Sequence, residues 1–198
     1  MSAYILPDSL ADLFETAAST DAVPGGGCVA CVSAHMGIAL LLKAIRITLK
    51  SKPELAVLQE AEGRLLGYAA QCLNYAQQDA EAFFQFLAAY KLPVSTVAEQ
   101  TLRLKSIEQA VVSATQLGIT ISAMGNDILQ LCCEIKPDIK LSIVADIVAG
   151  AYLVSAMIAV AIENANANLS DIQAIYPDLK ASVLKAQTQN QALLAALV

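Results

Sequence analysis

Two stretches of this chain are almost free of charge. Residues 28–42 hold no formally charged side chain, and residues 141–162 hold only Asp146. Around them, apolar positions recur at helical spacing. Pro7-Asp8-Ser9 opens a short amphipathic helix, with Leu10, Leu13, Phe14 and Ala17 on one face. Thr20 to Gly27 is a loop. A second helix runs from about Cys28 to Lys50 and is stopped by Ser51-Lys52-Pro53. A third starts at Pro53-Glu54, where proline suits the first turn, and extends to about Tyr90. After Lys91-Leu92-Pro93, Ser95 or Thr96 caps a fourth helix, and Glu99 is placed to complete a capping box with Thr96. That helix carries toward Cys133, with Gly118 as the point of possible interruption, and stops at Lys136-Pro137-Asp138. A long helix from Ile139 to about Asn168, a connector over Asp171–Pro177 and a last helix from Asp178 to Leu197 complete the chain. Nothing alternates in the manner of strands joined by hairpins. The pattern predicts an all-α fold, a single-domain bundle (1–198) of five or six mostly long helices.

Composition sharpens this picture. Of 198 residues, 57% are hydrophobic and 15% charged, which fits a membrane protein or a soluble protein that hides surface in an oligomer. The 28–42 run is shorter than the ~20 residues a bilayer needs. The 141–162 run carries Asp146, then Gly150 and Ser155, and there is no Trp for an interfacial belt. The expectation is therefore a dimer-forming soluble protein, with helices buried nearly all round and no membrane partner. The first residues lack the basic start and apolar core of a secretory signal, and a cytoplasmic location is expected. A net charge of −6 argues against nucleic acid. Five cysteines and one histidine do not form the paired clusters of a zinc site, so free buried thiols and no metal are expected.

Candidate chemistry lies where polar or glycine residues interrupt the apolar pattern. Pro24-Gly25-Gly26-Gly27 stands directly before a buried helix. Glycine costs roughly 0.5–1 kcal/mol relative to Ala to order, so such a run implies positive φ or close approach of another group. A helix start also offers unpaired N–H groups to an anion or a polar ligand edge. Asp79 shares a stripe with Tyr75, Phe83, Phe86 and Tyr90. Asp146 shares one with Gly150, Leu153, Met157, Val160, Asn164 and Asn168; Asp146 and Asn164 point the same way but lie about 27 Å apart along the axis. A carboxylate among apolar side chains must be paired, bonded or neutralised. Arg103 follows the capping box, where a cation gains nothing from the helix dipole, so a carboxylate partner is plausible. His35, on a face with Cys28, Ala39 and Leu42, reads first as a satisfied core residue and second as an acid–base group. Lys50 and Lys52 close the second helix and favour anions there.

The run Thr20-Asp21-Ala22-Val23-Pro24-Gly25-Gly26-Gly27-Cys28-Val29-Ala30 resembles the signature of the cyclodeaminase/cyclohydrolase family. The resemblance continues through Asp79-Ala80-Glu81-Ala82-Phe83, Lys91-Leu92-Pro93, Arg103 with Ile107 and Ala110, Asp146 with Val148 and Ala149, and Asn164 with Asn168-Leu169 before Asp171. It implies an all-helical homodimer acting on a tetrahydrofolate derivative with no metal or other cofactor. The implied reaction is hydrolysis of 5,10-methenyltetrahydrofolate to the 10-formyl form. The alternatives are cyclisation of 5-formiminotetrahydrofolate with loss of ammonia, or a silent folate- or partner-binding module. It further implies Asp79 and Asp146 as catalytic carboxylates and the glycine loop (Pro24, Gly25, Gly26, Gly27) as the pterin seat. Arg103 or Lys50 would hold the glutamate tail, and Asn164 and Asn168 would contact substrate. The chain departs from the family pattern at Val94, Ile139-Lys140 and Ala145, and in carrying His35 where a small residue is usual.

Overall fold

A computed structural model describes residues 9–171 and 176–198. Among them are six α-helices and no strand: α1 (Leu10–Ala17), α2 (Gly26–Leu49), α3 (Ala56–Tyr90), α4 (Val97–Ile135), α5 (Val144–Asp171) and α6 (Pro177–Leu197). The expected class holds, and the boundaries shift for local reasons. α2 starts at Gly26 rather than Cys28, because the extended backbone of Gly25 (φ −89°, ψ −175°) makes it the N-cap. α3 starts at Ala56 rather than Pro53, since the Leu55 N–H first closes a turn onto the Lys52 carbonyl. Gly118 does not interrupt α4; a Cβ there would stand 3.0 Å from the Ala161 carbonyl oxygen, so the glycine serves close packing of α4 on α5. Residues 139–143 do not join α5, because short 3-10 turns at Lys136–Asp138 and Leu141–Ile143 flank an extended Ile139. Asp171 still belongs to α5. The expected start at Pro7-Asp8 and residues 172–175 of the expected connector lie outside the described residues.

Caps fix the starts that sequence identifies best. Ser9 Oγ accepts the Asp12 N–H at 3.1 Å. Thr96 Oγ1 accepts the Glu99 N–H while the Glu99 carboxylate accepts the Thr96 N–H, the reciprocal pair of a capping box.

Helices α2 to α5 form a four-cornered antiparallel bundle. α3 runs against α2, tied by Arg46–Glu62 at 2.6 Å and by His35 Nδ1 to the Ala69 carbonyl at 3.0 Å. Arg64 and Glu134 join α3 to α4 at 3.9 Å. α6 runs parallel to α4 over its outer side; the Asn126 amide donates to the Ala186 carbonyl and the Lys136 amine to the Leu197 carbonyl. Ile38, Leu41, Ile45, Leu65, Ile128 and Ile158 are among the fully buried side chains.

α2 and α5 approach each other closely at a pair of glycines. A Cβ on Gly150 would lie 2.7 Å from the Gly37 carbonyl oxygen, and one on Gly37 would lie 2.9 Å from the Gly150 oxygen. The two backbones therefore touch where both lack side chains. At the far end of this seam the buried Thr48 hydroxyl donates to the Ala44 carbonyl and accepts the Lys140 N–H.

Outward of the seam, α2 and α5 present an apolar face at the surface of the single chain. Met36 is 48% exposed and Tyr152 51%, and Ala39, Ala149, Ala156 and Ala159 are exposed beside them. Gly26–Leu49 and Leu141–Ser170 are both long and apolar enough to cross a membrane, by length and composition; the first exceeds the span anticipated from residues 28–42.

Gly150→Ala is expected to destabilise the fold by about 2 kcal/mol or more, since overpacking typically costs 1–3 kcal/mol. Gly63→Ala, where a Cβ meets nothing within 4 Å, is expected to stabilise by about 1 kcal/mol from helix propensity alone. Denaturant unfolding of the two variants separates the effects, and equal midpoints would contradict this account of the seam.

Candidate functional site

The first turn of α2 lacks a side-chain cap of its own. One of its N–H groups is met from α3: the Asp79 carboxylate accepts the backbone N–H of Cys28. Contact is this close because residue 27 is glycine. A Cβ at Gly27 would fall 2.6 Å from Asp79 Cγ, inside the carboxylate's own space. Among the described residues no glycine has positive φ, so the run answers to close approach. Gly25 and Gly26 leave free space instead; a Cβ at Gly25 meets nothing within 4 Å.

That space is a cavity of about 350 Å³ inside the bundle where α2 begins. Gly25–Gly27 and Cys31 of α2, Asp79, Phe83 and Phe86 of α3, Val111 to Ile121 of α4, and Met157 to Asn168 of α5 enclose it. Phe83 and Phe86 stand 6.5 Å apart between ring centres on one wall. Among the described lining residues Asp79 is the only charged one, and Asn164 and Asn168 are the polar side chains of the opposite wall.

Burial raises the Asp79 pKa above the ordinary carboxylate value, and the Cys28 N–H opposes part of that rise. The thiols beneath are driven further toward the neutral form. Burial and then the Asp79 charge push Cys28 up to about 11, and burial pushes Cys72 up to about 12. Cys31, deeper, is raised by burial and by its thiol neighbours. These sulfurs are protonated at neutral pH and so are not poised as nucleophiles; Cys31 contributes a nonpolar surface to the cavity wall. Cys132 is also a buried free thiol, and Cys133 is half-buried.

The structure brings some of the anticipated residues together and separates others. Asp79, Gly25, Gly26, Gly27, Asn164 and Asn168 share the cavity. Pro24 is buried behind it, joined to Val23 by a cis peptide. Asp146 does not reach the cavity of its own chain. It sits near the start of α5 at the opposite end of the bundle, 2.8 Å from Lys43 Nζ, as its distance along the axis from Asn164 requires. Lys50 is the exposed C-cap of α2, a helix length from the glycine loop. Arg103 is occupied in joining two helix ends: its Nε donates to the Tyr90 carbonyl at 2.9 Å and its guanidinium lies 4.4 Å over the Tyr90 ring. His35 is bonded to α3, away from the lining. Sequence reasoning did not single out Cys31, Ile121 or Met157 as cavity walls. The wall residues Phe83 and Phe86 were signalled, since they occupy the stripe of Asp79.

Long antiparallel helices around an apolar cavity with one carboxylate define an up-and-down helical bundle with an internal candidate site. More narrowly, the chain belongs to the formiminotransferase-cyclodeaminase family, whose model matches residues 9–185. Its relatives include a methenyltetrahydrofolate cyclohydrolase of Methylorubrum extorquens, 28% identical over 142 residues, covering 70% of this chain and 67% of that protein. A formimidoyltransferase-cyclodeaminase of Gallus gallus is 26% identical over 155 residues, covering 76% of this chain and 28% of the relative; the chain thus spans just over a quarter of that longer protein. The crystal structure of a formiminotetrahydrofolate cyclodeaminase from Thermotoga maritima superposes with a TM-score of 0.74 at 19% identity, covering 96% of this chain and 93% of that one, and so shares the fold.

The raised Asp79 pKa fixes a sign. Between the ordinary and the raised value the native state keeps a proton that the unfolded chain has released, so stability falls as pH rises through that window. Asp79→Asn keeps the acceptor for the Cys28 N–H and removes the charge. Its Tm is expected to exceed wild type at neutral pH, with the gap closing below about pH 4, the region of an unperturbed Asp. Thermal melts across pH test this, and a less stable Asn variant at neutral pH would contradict it.

Proposed function

We propose that this protein is a folate one-carbon enzyme that hydrolyses 5,10-methenyltetrahydrofolate to 10-formyltetrahydrofolate. The observation that carries the reading is one ionisable carboxyl, Asp79, placed between a helix start and an otherwise apolar cavity. The methenyl group is a cation delocalised over N–C–N, and a carboxylate in a low-dielectric slot stabilises such charge strongly. Phe83, Phe86 and Met157 offer apolar surface to a flat bicyclic ring, while Asn164 and Asn168 supply amide groups for its polar edge.

In this reading Asp79 takes a proton from the water that attacks the bridging carbon. It returns that proton to N5 as the N5–C bond breaks, and the hydroxyl proton of the collapsing adduct leaves to solvent. A carboxyl with raised proton affinity suits both halves of that transfer. The chemistry moves no net electrons, so we assign no redox cofactor, and it asks for no metal. The cyclohydrolase reading is preferred because the similarity to the Methylorubrum protein covers most of both chains. Cyclodeamination of 5-formiminotetrahydrofolate is the second reading, favoured by the similarity to the Gallus protein.

We further propose a cytoplasmic homodimer, supported by free buried thiols and by the exposed apolar face of α2 and α5. A second copy covering that face accounts for its apolar character without a bilayer, and the net charge of −6 disfavours nucleic acid. Met36→Asp together with Ala156→Asp is expected to yield folded monomers by light scattering. An unchanged dimer, or wild type recovered only in detergent, would exclude this interface.

Loss of the methenyl ultraviolet band above the spontaneous rate is the test of activity. Asp79→Asn is expected to lower kcat/KM by about 10²–10⁴, the usual worth of a general acid–base, with the dimer intact. Turnover of the formimino substrate alone would select the second reading, and silence with both substrates would leave a binding module.

A further inference from the structure

The cavity reaches the surface along one edge. Ala22 of the glycine loop, Phe83 of α3, and Asn164 and Ala167 of α5 line it and are themselves exposed, so they form its rim. Beyond this rim the cavity walls continue outward as exposed apolar stripes. On α4, Val97, Leu104, Val111 and Gly118 recur every seven residues and share one face. Val111 and Gly118 line the cavity, whereas Leu104 is 65% exposed and Val97 is exposed as well. On α3, Tyr90 follows Phe83 by seven residues and is 57% exposed. The outer α3–α4 hairpin thus shows the solvent the same face that, deeper in the bundle, encloses the cavity.

Helix α1 is attached to that rim by a short turn. It has no buried residue, and Leu13 is the side chain that rests on the core. Leu10 and Phe14, one turn apart, are 67% and 70% exposed. Among the described residues, residues 9–21 hydrogen-bond only with one another. No bond to another helix would have to break for α1 to change its place. Buried Pro24 anchors the inner end of the connection.

Charge favours the hairpin as the surface for α1. Residues 9–42 carry Asp12, Glu15 and Asp21 with no Lys or Arg, while residues 84–107 carry Lys91, Arg103 and Lys105 against Glu99 alone. Glu99 is held in the capping box and Arg103 by Tyr90. Glu15 adjoins Phe14, Lys91 adjoins Tyr90 and Lys105 adjoins Leu104. None of these three charged groups is in an ion pair among the described residues. The dimensions agree. Ala17 and Ala22 are five residues apart, a reach of up to about 17 Å. The eight residues of α1 make about 12 Å of helix, and Phe83 to Tyr90 spans about 10 Å of α3.

We propose that α1 is a lid for the cavity. With ligand bound, its Leu10–Phe14 face closes onto Tyr90 of α3 and Leu104 of α4, with Glu15 against the lysines of the hairpin. Closure covers two apolar surfaces that are exposed apart and shuts the edge between Ala22 and Phe83. The identity of the closing ligand rests on the folate reading, whereas the lid and its seat do not.

Cross-linking tests the seat. In the double variant Phe14→Cys with Leu104→Cys, a short bis-maleimide is expected to join the two thiols within one chain, as located by peptide mass. It is expected to do so faster than in Phe14→Cys with Leu184→Cys, whose second thiol is on the outer helix α6. Adding 10-formyltetrahydrofolate is expected to speed the link about tenfold by shifting α1 toward the closed position. No link within the chain, or links only between chains, overturns the lid; the second result would make the hairpin the seat of another copy's α1.

Kinetics test its effect on the ligand. Phe14→Asp is expected to leave Tm unchanged, because Phe14 is exposed in the open form. It is expected to raise KM about tenfold with little change in kcat, the scale of one lost apolar contact. An unaltered KM in an active enzyme, or a link that folate does not speed in an active enzyme, overturns closure on ligand. An intrachain link in a wild-type background inert toward folates would keep the lid and overturn the folate reading.

Discussion

The contact between the Asp79 carboxylate and the start of α2 sets the layout of this protein. A helix beginning inside a bundle has N–H groups to satisfy, and α2 begins with glycines that offer no side chain for the task. The acceptor comes from α3, reaches the Cys28 N–H only because Gly27 has no Cβ, and becomes the charged floor of the cavity. One interaction thus meets a structural need and creates a chemical group. Its two demands oppose each other, since the hydrogen bond favours the ionised form and burial disfavours it. The outcome is a carboxyl that is ordered by the fold and more basic than an exposed one.

The rest of the interior keeps that charge isolated. Three thiols below it, raised by burial, contribute no competing anion at neutral pH. Phe83, Phe86, Met157 and Ile121 line the cavity beside it with apolar surface. The Gly37–Gly150 seam draws α5 against α2, and Gly118 lets α4 close onto Ala161. Glycine thus serves close packing at several levels of one bundle, while its conformational freedom goes unused.

How much of this could be read from residues alone depended on the range of the interaction. Helical class, the Thr96–Glu99 box and the stripe joining Asp79 to its phenylalanines are local, repeating within a few residues, and they were readable. The starts of α2 and α3 shifted because Gly25 and Leu55 take extended or turn backbone that spacing does not reveal. Arg103 looked unpaired because its partner, Tyr90, belongs to another helix. Asp146, which matched a family pattern, and Lys50, which closes α2, both stand at the far end of the chain's own bundle, since a linear motif carries no information about which end of a 24-residue helix faces which cavity.

Helix α2 is held at three heights: by Asp79 at Gly27, by Gly150 at Gly37, and at Thr48 by the Lys140 N–H. A rod pinned at three points cannot slide or rotate, so its residue count becomes a dimension of the molecule. An inserted residue would turn everything beyond it by about 100° and lift it by about 1.5 Å, breaking at least one pin. Length variation among related chains should therefore fall in the turn between α2 and α3 or beyond α5, leaving the span from Gly27 to Thr48 constant as a ruler.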